Sequence, residues 1–231
     1  MGGYSEYRFG RTGHFMANYA YSISLMIANV AIAISAVGYA AVLFDITLTP
    51  IQVAQATIVM LWLAALLNFG GNRRTGQISN ITVWGSIIPV ILVGTIGWYW
   101  FAPSIYVSAW NPNDLPFFDA VSSSIAMTLW SFLGFESAAA NADAVENPKK
   151  NVPIATFFGT LAVAVIYIFS TNVMAGIVPN VDLLNSTAPF GLTFAYMFNE
   201  TVGKIVMATM VISCFGALLC WQFPLSCVFV S

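Results

Sequence analysis

Residues 120–178 read AVSSSIAMTLWSFLGFESAAANADAVENPKKNVPIATFFGTLAVAVIYIFSTNVMAGIV. Two apolar runs, 120–142 and 154–178, flank a short segment with two acids, two lysines and two prolines. About 20 apolar residues carry a helix across a bilayer. In lipid such a run must satisfy its own backbone hydrogen bonds, which favours a helix. The stretch predicts two membrane helices joined by a polar turn. Glu136 interrupts the apolar character of the first. A carboxylate at membrane depth costs on the order of 2.5–3.5 kcal/mol on insertion scales, and such groups usually face a cavity or a partner.

Outward from this pair the pattern repeats. Further apolar runs cover residues 15–44, 51–69, 78–101 and 205–230, so six spans are expected in one transmembrane region, 1–231. Turn residues separate them: Pro50, Gly70–Gly71–Asn72, Asn111–Pro112–Asn113–Asp114, and Pro179–Asn180. Pro50 and Pro153 are expected in first helical turns, where a missing N–H costs little. Across 231 residues 59% are hydrophobic and 7% charged, against roughly 25% charged in a soluble domain. The formal net charge of −2 and the absence of a basic cluster argue against a nucleic-acid partner. The expected surroundings are the lipid bilayer.

Charge orients the spans. Arg8 and Arg11, Arg73 and Arg74, and Lys149 and Lys150 mark alternate loops, whereas Asp45, Asp114, Asp119, Asp182 and Glu200 mark the others. Positive loops are cytoplasmic, which places the amino terminus of this chain inside, with Lys204 the one exception. Trp98, Tyr99, Trp100 and Phe101, with Tyr106 and Trp110 beyond, crowd the outer end of the third span, as interfacial rings do.

No phosphate loop, catalytic triad or dinucleotide fingerprint occurs, and one histidine excludes a multi-histidine metal site. Cys214, Cys220 and Cys227 fit no metal or redox spacing and read as packing residues. No enzyme, cofactor or metal is implied. Among polar residues in the spans, Asn29 is either an interhelical hydrogen bonder or a ligand contact, as are Trp221 and Gln222. Trp130 lies six residues before Glu136, not on one face of a regular helix. Gly134 between them is either a packing position or a point of unwinding; unwinding would bring ring and carboxylate to one cavity. An aromatic face beside a carboxylate suits an organic cation. Asp143 and Glu146 beside Lys149 and Lys150 read as solvated ion pairs.

TLWSFLGFESAAANADAVENPKKNVPIAT strongly resembles the sixth helix and following loop of the bacterial amino acid–polyamine antiporters, within the amino acid–polyamine–organocation superfamily. MGGYSEYRFG, LLNFGGNRRTGQISNITVWGSIIPV, WNPNDLPFFDAVSSSIAMTLW, STNVMAGIVPN and NSTAPFGL extend the resemblance, in order, through about Phe223. The resemblance implies an all-α membrane protein holding helices three to eight of twelve, part of a five-plus-five inverted-repeat transporter fold. It implies exchange of putrescine for ornithine, with putrescine uptake, by alternating access in the bacterial inner membrane. It also assigns site residues: Tyr21 and Asn29 on helix three, Trp130 as an aromatic gate, Glu136 as the buried acid, and Leu133 between them. Trp221 is the aromatic of helix eight, and Glu6 a cytoplasmic-side acid linked with polyamine transport. Two departures stand out. The family's glycine-rich broken first helix is absent, and after Phe223 the chain reads PLSCVFVS. The chain is therefore expected to be truncated at both ends. The alternative to a carrier is a non-transporting fragment or one part of a split antiporter, with a homodimer or a complementing chain as protein partner.

The charge alternation predicts that the loop at Arg73 and Arg74 is cytoplasmic and the loop at residues 111–114 is outside. Single cysteines placed there, in a background without the native three, should differ in labelling by an impermeant thiol reagent added to intact cells. Equal labelling of both loops overturns this topology.

Overall fold

A computed structural model describes residues 2–69, 72–132, 134 and 146–230. Its helices are α1 (Gly2–Leu43), α2 (Pro50–Asn68), α3 (Asn72–Thr82), α4 (Trp84–Ile96), α5 (Pro103–Trp110), α6 (Phe117–Ser131), α7 (Pro148–Ile177), α8 (Asn180–Asn185), α9 (Pro189–Met197) and α10 (Glu200–Val230). A 3-10 turn, Gly97–Trp100, follows α4. No strand occurs among the described residues, in keeping with the all-α expectation.

Five stretches among the described residues are long and apolar enough to cross a membrane: Ser5–Leu43, Pro50–Asn68, Thr75–Trp100, Pro148–Ile177 and Glu200–Gln222. Each coincides with an expected span. The remaining one, residues 120–142, is described only in part. α6 forms its first portion, while Leu133 and residues 135–142, Glu136 included, lie outside the described residues. Asp143 lies outside them too.

Local chemistry explains the start of α2. Thr49 caps α2 with a reciprocal capping box: Gln52 N–H donates to Thr49 Oγ1 (3.4 Å) and Thr49 N–H donates to Gln52 Oε1 (2.8 Å). Pro50 takes the first helical position, as expected. Pro153 does not. α7 begins five residues earlier, at Pro148 behind Asn147 in the left-handed region (φ 50), and Pro153 lies inside the helix. Pro148 already supplies the residue that loses nothing at a helix start. The expected pairing of Glu146 with Lys149 or Lys150 is not found among the described residues. Glu146 contributes its backbone carbonyl instead, accepting from Asn151 Nδ2 at 2.6 Å.

The chain divides into two compact units, Met1–Pro89 with Asn185–Ser231, and Val90–Leu184. In the first, α10 runs along α1 and also packs on α2, α3 and α9. Ser22, Leu25, Asn29, Ala33 and Ala36 are all buried and recur on α1 at intervals of three or four, so they form one face of the helix. Ala33 and Ala64 meet Leu218 and Leu219 with essentially no exposure, and Ile32, Met60, Leu61 and Phe215 close around them. Small residues let membrane helices approach closely where hydrophobic exclusion from lipid supplies no drive. Lys204, the exception to the charge alternation, bonds Asp45 Oδ2 at 2.6 Å and ties the start of α10 to the end of α1.

In the second unit, α7 packs against α5 and the 3-10 turn. Ala102 N–H donates to Gly176 O (2.8 Å), and Tyr106 donates its hydroxyl hydrogen to Asn172 Oδ1. Trp98, Phe101, Tyr106 and Trp110 follow one another at centroid spacings of 5.1, 5.4 and 5.6 Å. The aromatic run at the end of the third span is thus a continuous ring cluster. Asn111 closes the next loop on itself, donating to Leu115 O and accepting from Leu115 N–H.

Gln222 settles one of the alternatives left by sequence. Asn68 Nδ2 donates to Gln222 Oε1 (2.8 Å) and to Leu219 O (3.2 Å), while Gln222 Nε2 donates to Leu61 O (3.2 Å). It clamps α10 to α2. Gln222→Leu should lower stability by about 1 kcal/mol, the scale of interhelical hydrogen bonds in membranes. Thermal unfolding in detergent, followed by tryptophan fluorescence, measures it; an unchanged midpoint shows that the clamp contributes nothing.

Candidate functional site

Asn29 is the polar centre of the buried face of α1, at 4% exposure. Its Nδ2 donates back to Leu25 O at 2.8 Å, within its own helix. Its Oδ1 is buried and accepts no hydrogen bond among the described residues. An unmet buried acceptor costs about 1–3 kcal/mol, so a fold under selection for stability alone gains nothing from this side chain. Most neighbouring hydroxyls show the contrast. Ser22, Ser24 and Ser35 on α1 each donate to the carbonyl four residues back, the usual way to satisfy a hydroxyl in lipid.

α1 and α10 run antiparallel, with Asp45 against Lys204 at one end and Ala33 against Leu218 further along. Four residues on from Ala33 along this path is Asn29; three on from Leu218 is Trp221. The same register places the two at one level, to within about one helical turn. Trp221 is half-buried, and the clamp at Gln222 beside it restricts the rotation of α10. Tyr21, also half-buried, lies eight residues before Asn29, about 12 Å further along α1 at 1.5 Å per residue. Glu6 belongs to the segment before Gly10, a glycine at φ 62 that breaks α1. It is separate from the Asn29 level.

Trp130 belongs to the second unit, one residue before the end of α6, and is 42% exposed. Phe132 caps the helix, its N–H donating to Leu129 O, and its ring meets Tyr167 of α7 edge-on at 6.0 Å. Gly134 follows with φ 114, a conformation that side-chain-bearing residues rarely adopt. Of the two readings of Gly134, packing or unwinding, the backbone shows the second: the helix has ended before it. Ser122, Ser123, Ser124, Thr128 and Ser131 all donate to carbonyls of α6 itself. These hydroxyls are thus spent on the helix's own backbone. Leu133 and Glu136, assigned with it by resemblance, lie outside the described residues.

Sequence reasoning missed the tie between Glu6 and His14, at 3.0 Å. It also missed the hydroxyl pair Ser86 and Ser213, 2.8 Å apart, which joins α4 to α10. The signal for the first was Gly10 between two polar residues; the second had none, since serines in apolar helices are common. Among the described residues no group of three His, Cys, Asp or Glu side chains is placed to hold a metal ion.

Long apolar helices, internally satisfied hydroxyls and a helix broken at a glycine define a multi-pass helical membrane protein. The amino acid permease family model matches residues 1–228, and the chain belongs to that family. It is 64% identical over all 231 residues to the putrescine transporter PotE of Haemophilus influenzae and to that of Escherichia coli K12. It is 31% identical over 208 residues, 90% of its length, to the cadaverine/lysine antiporter of Escherichia coli K12. The chain spans about half the length of these curated relatives, 53% and 47% respectively.

Asn29→Leu should leave stability unchanged or raise it, because the substitution removes an unmet acceptor. The same change, in a complete carrier containing this segment, should weaken substrate binding. Denaturation midpoints and binding isotherms measured on one preparation test the pair. A clear loss of stability shows that Asn29 is structural.

Proposed function

We propose that this chain forms the central part of a diamine–amino acid exchanger, trading putrescine for ornithine by alternating access in the bacterial inner membrane. The observation that carries the reading is 64% identity to two putrescine transporters along the whole chain. The geometry agrees with it. Inverted-repeat carriers build substrate sites where helices are broken near the bilayer midplane, and the α6 helix ends between Trp130 and Gly134.

In this reading Glu136 is the counter-charge for an ammonium group, and Leu133, between it and Trp130 in sequence, is a further substrate contact. By the family resemblance Trp130 and Trp221 are both substrate-site aromatics, groups whose ring faces attract a cation and bury methylene groups. Asn29 offers Oδ1 as an acceptor to an ammonium hydrogen, and Tyr21 lines the path toward the cytoplasm. Glu6 attracts the diamine at the cytoplasmic side. Putrescine carries two positive charges near neutral pH and ornithine one, so one-for-one exchange moves one net charge. That charge is worth about 2.3 kcal/mol per 100 mV of membrane potential. Substrate gradients and the membrane potential drive the cycle without a bound cofactor.

The relatives are about twice as long, and the site implied by the family resemblance is lined also by the first and tenth helices of the full fold. Exchange is therefore proposed for a protein in which this segment is joined by those helices, in one polypeptide or in a complementing chain.

The test is a chimera in which residues 1–223 replace the matching region of the Escherichia coli putrescine transporter, reconstituted into vesicles loaded with putrescine. Glu136→Gln should cut labelled putrescine and ornithine exchange at least tenfold, about 1.4 kcal/mol or more, with membrane insertion intact. Wild-type kinetics in that variant remove Glu136 from the mechanism. A correctly inserted chimera that exchanges neither substrate sinks the reading altogether.

A further inference from the structure

Residues eight apart in an unbroken helix are separated by about 12 Å along its axis, yet Glu6 Oε2 stands 3.0 Å from His14 Nδ1. The break at Gly10, φ 62 and ψ −161, makes this contact, since the preceding turns fold back beside the start of the main helix. The approach is close. A Cβ added to Gly13 would stand 2.5 Å from Phe9 Cβ and 2.8 Å from Ser5 O. His14 is the only histidine of the chain. Its second nitrogen, Nε2, lies 3.0 Å from Asn18 Nδ2, one turn further along.

The proton positions follow from the partners. An ionised carboxylate only accepts, so the hydrogen of a neutral ring must be on Nδ1 and point at Glu6. Nε2 is then an acceptor, and Asn18 supplies an amide hydrogen to it. The chain Asn18–His14–Glu6 is consistent in one tautomer of the ring. It leaves the acid half exposed: the side chain of Glu6 retains 50% of its accessible surface, that of His14 32%. Among the described residues no other group bonds the Glu6 carboxylate, so Oε1 is open to a cation. Arg8 and Arg11, the nearest basic residues in sequence, make no ion pair with it.

We propose that His14 is a positioning residue for Glu6. Its Nδ1–H holds one carboxylate oxygen while Asn18 fixes the ring, and the other oxygen is presented to an ammonium group of a diamine at the cytoplasmic side. The proposal rests on the reading of Glu6 as an acid of the transport path. The folded-back segment is the part that would otherwise swing about Gly10, and one hydrogen-bonded ring pins it.

Two measurements test this separately. The first uses the 231-residue chain in lipid nanodiscs, with ring nitrogens labelled; one histidine yields one pair of nitrogen signals. The neutral ring should be protonated at Nδ1, and Glu6→Ala should move it toward the Nε2-protonated form that free imidazole side chains favour. A wild-type ring protonated at Nε2 overturns the pairing, whatever happens in transport. The second uses the chimera described above. His14→Ala should raise the putrescine KM about fivefold, the worth of one hydrogen bond, with kcat within twofold. His14→Gln carries a donor and an acceptor on one side chain and should restore KM. Equal KM in wild type and His14→Ala, or no recovery in His14→Gln, overturns the positioning role. An unchanged KM in Glu6→Ala overturns the transport reading of Glu6 and the use of the pairing with it, while the tautomer still decides the pairing itself.

Discussion

The antiparallel contact of α1 with α10 is the interaction on which the first unit depends. Its two helices have little hydrophobic reason to meet in lipid, where a leucine is as well solvated by acyl chains as by another leucine. They meet through close approach at Ala33, Leu218 and Leu219 and through polar links at either end. Lys204 and Asp45 close one end, and Asn68, Gln222 and two backbone carbonyls tie α10 to α2 near the other. The exposed ion pair contributes little by itself. The half-buried amide pair contributes more, since few alternative partners exist for it within the apolar helices.

The same contact sets the level of the candidate site. Asn29 lies on the buried face of α1 because it shares the three-and-four spacing of Ser22, Leu25, Ala33 and Ala36. Trp221 comes level with it because the register of α10 is held on both sides. A buried acceptor left unmet adds no stability to a passive helix pair. Physical chemistry thus separates Asn29 from Gln222, although both are amides in apolar helices. One spends its hydrogen bonds on the fold, and the other withholds an acceptor.

The second unit follows a different rule. The hydroxyls of α6 turn inward to the helix's own carbonyls, and the chain abandons helical geometry at Gly134. Phe132 against Tyr167 anchors the point where it does so. The glycine permits there a conformation that other residues avoid.

Hydrophobic run length determined the all-α class and five of the expected spans, because lipid allows few alternatives to an uninterrupted helix. The capping box at Thr49 went unread, although it depends on residues only three apart. The break at Gly134 was legible only as one of two readings, for glycine permits unwinding without compelling it. Tertiary structure decided the rest. Lys204 departed from the charge pattern until Asp45, far away in sequence, was placed beside it. Pro153 fell inside a helix because Pro148 had already taken the start. The roles of Gln222 and Asn29 differ by which helix lies opposite, and the tie of His14 to Glu6 exists only because Gly10 reverses the chain. In each case the deciding partner is brought close by packing or by a backbone break, neither of which composition or local spacing contains.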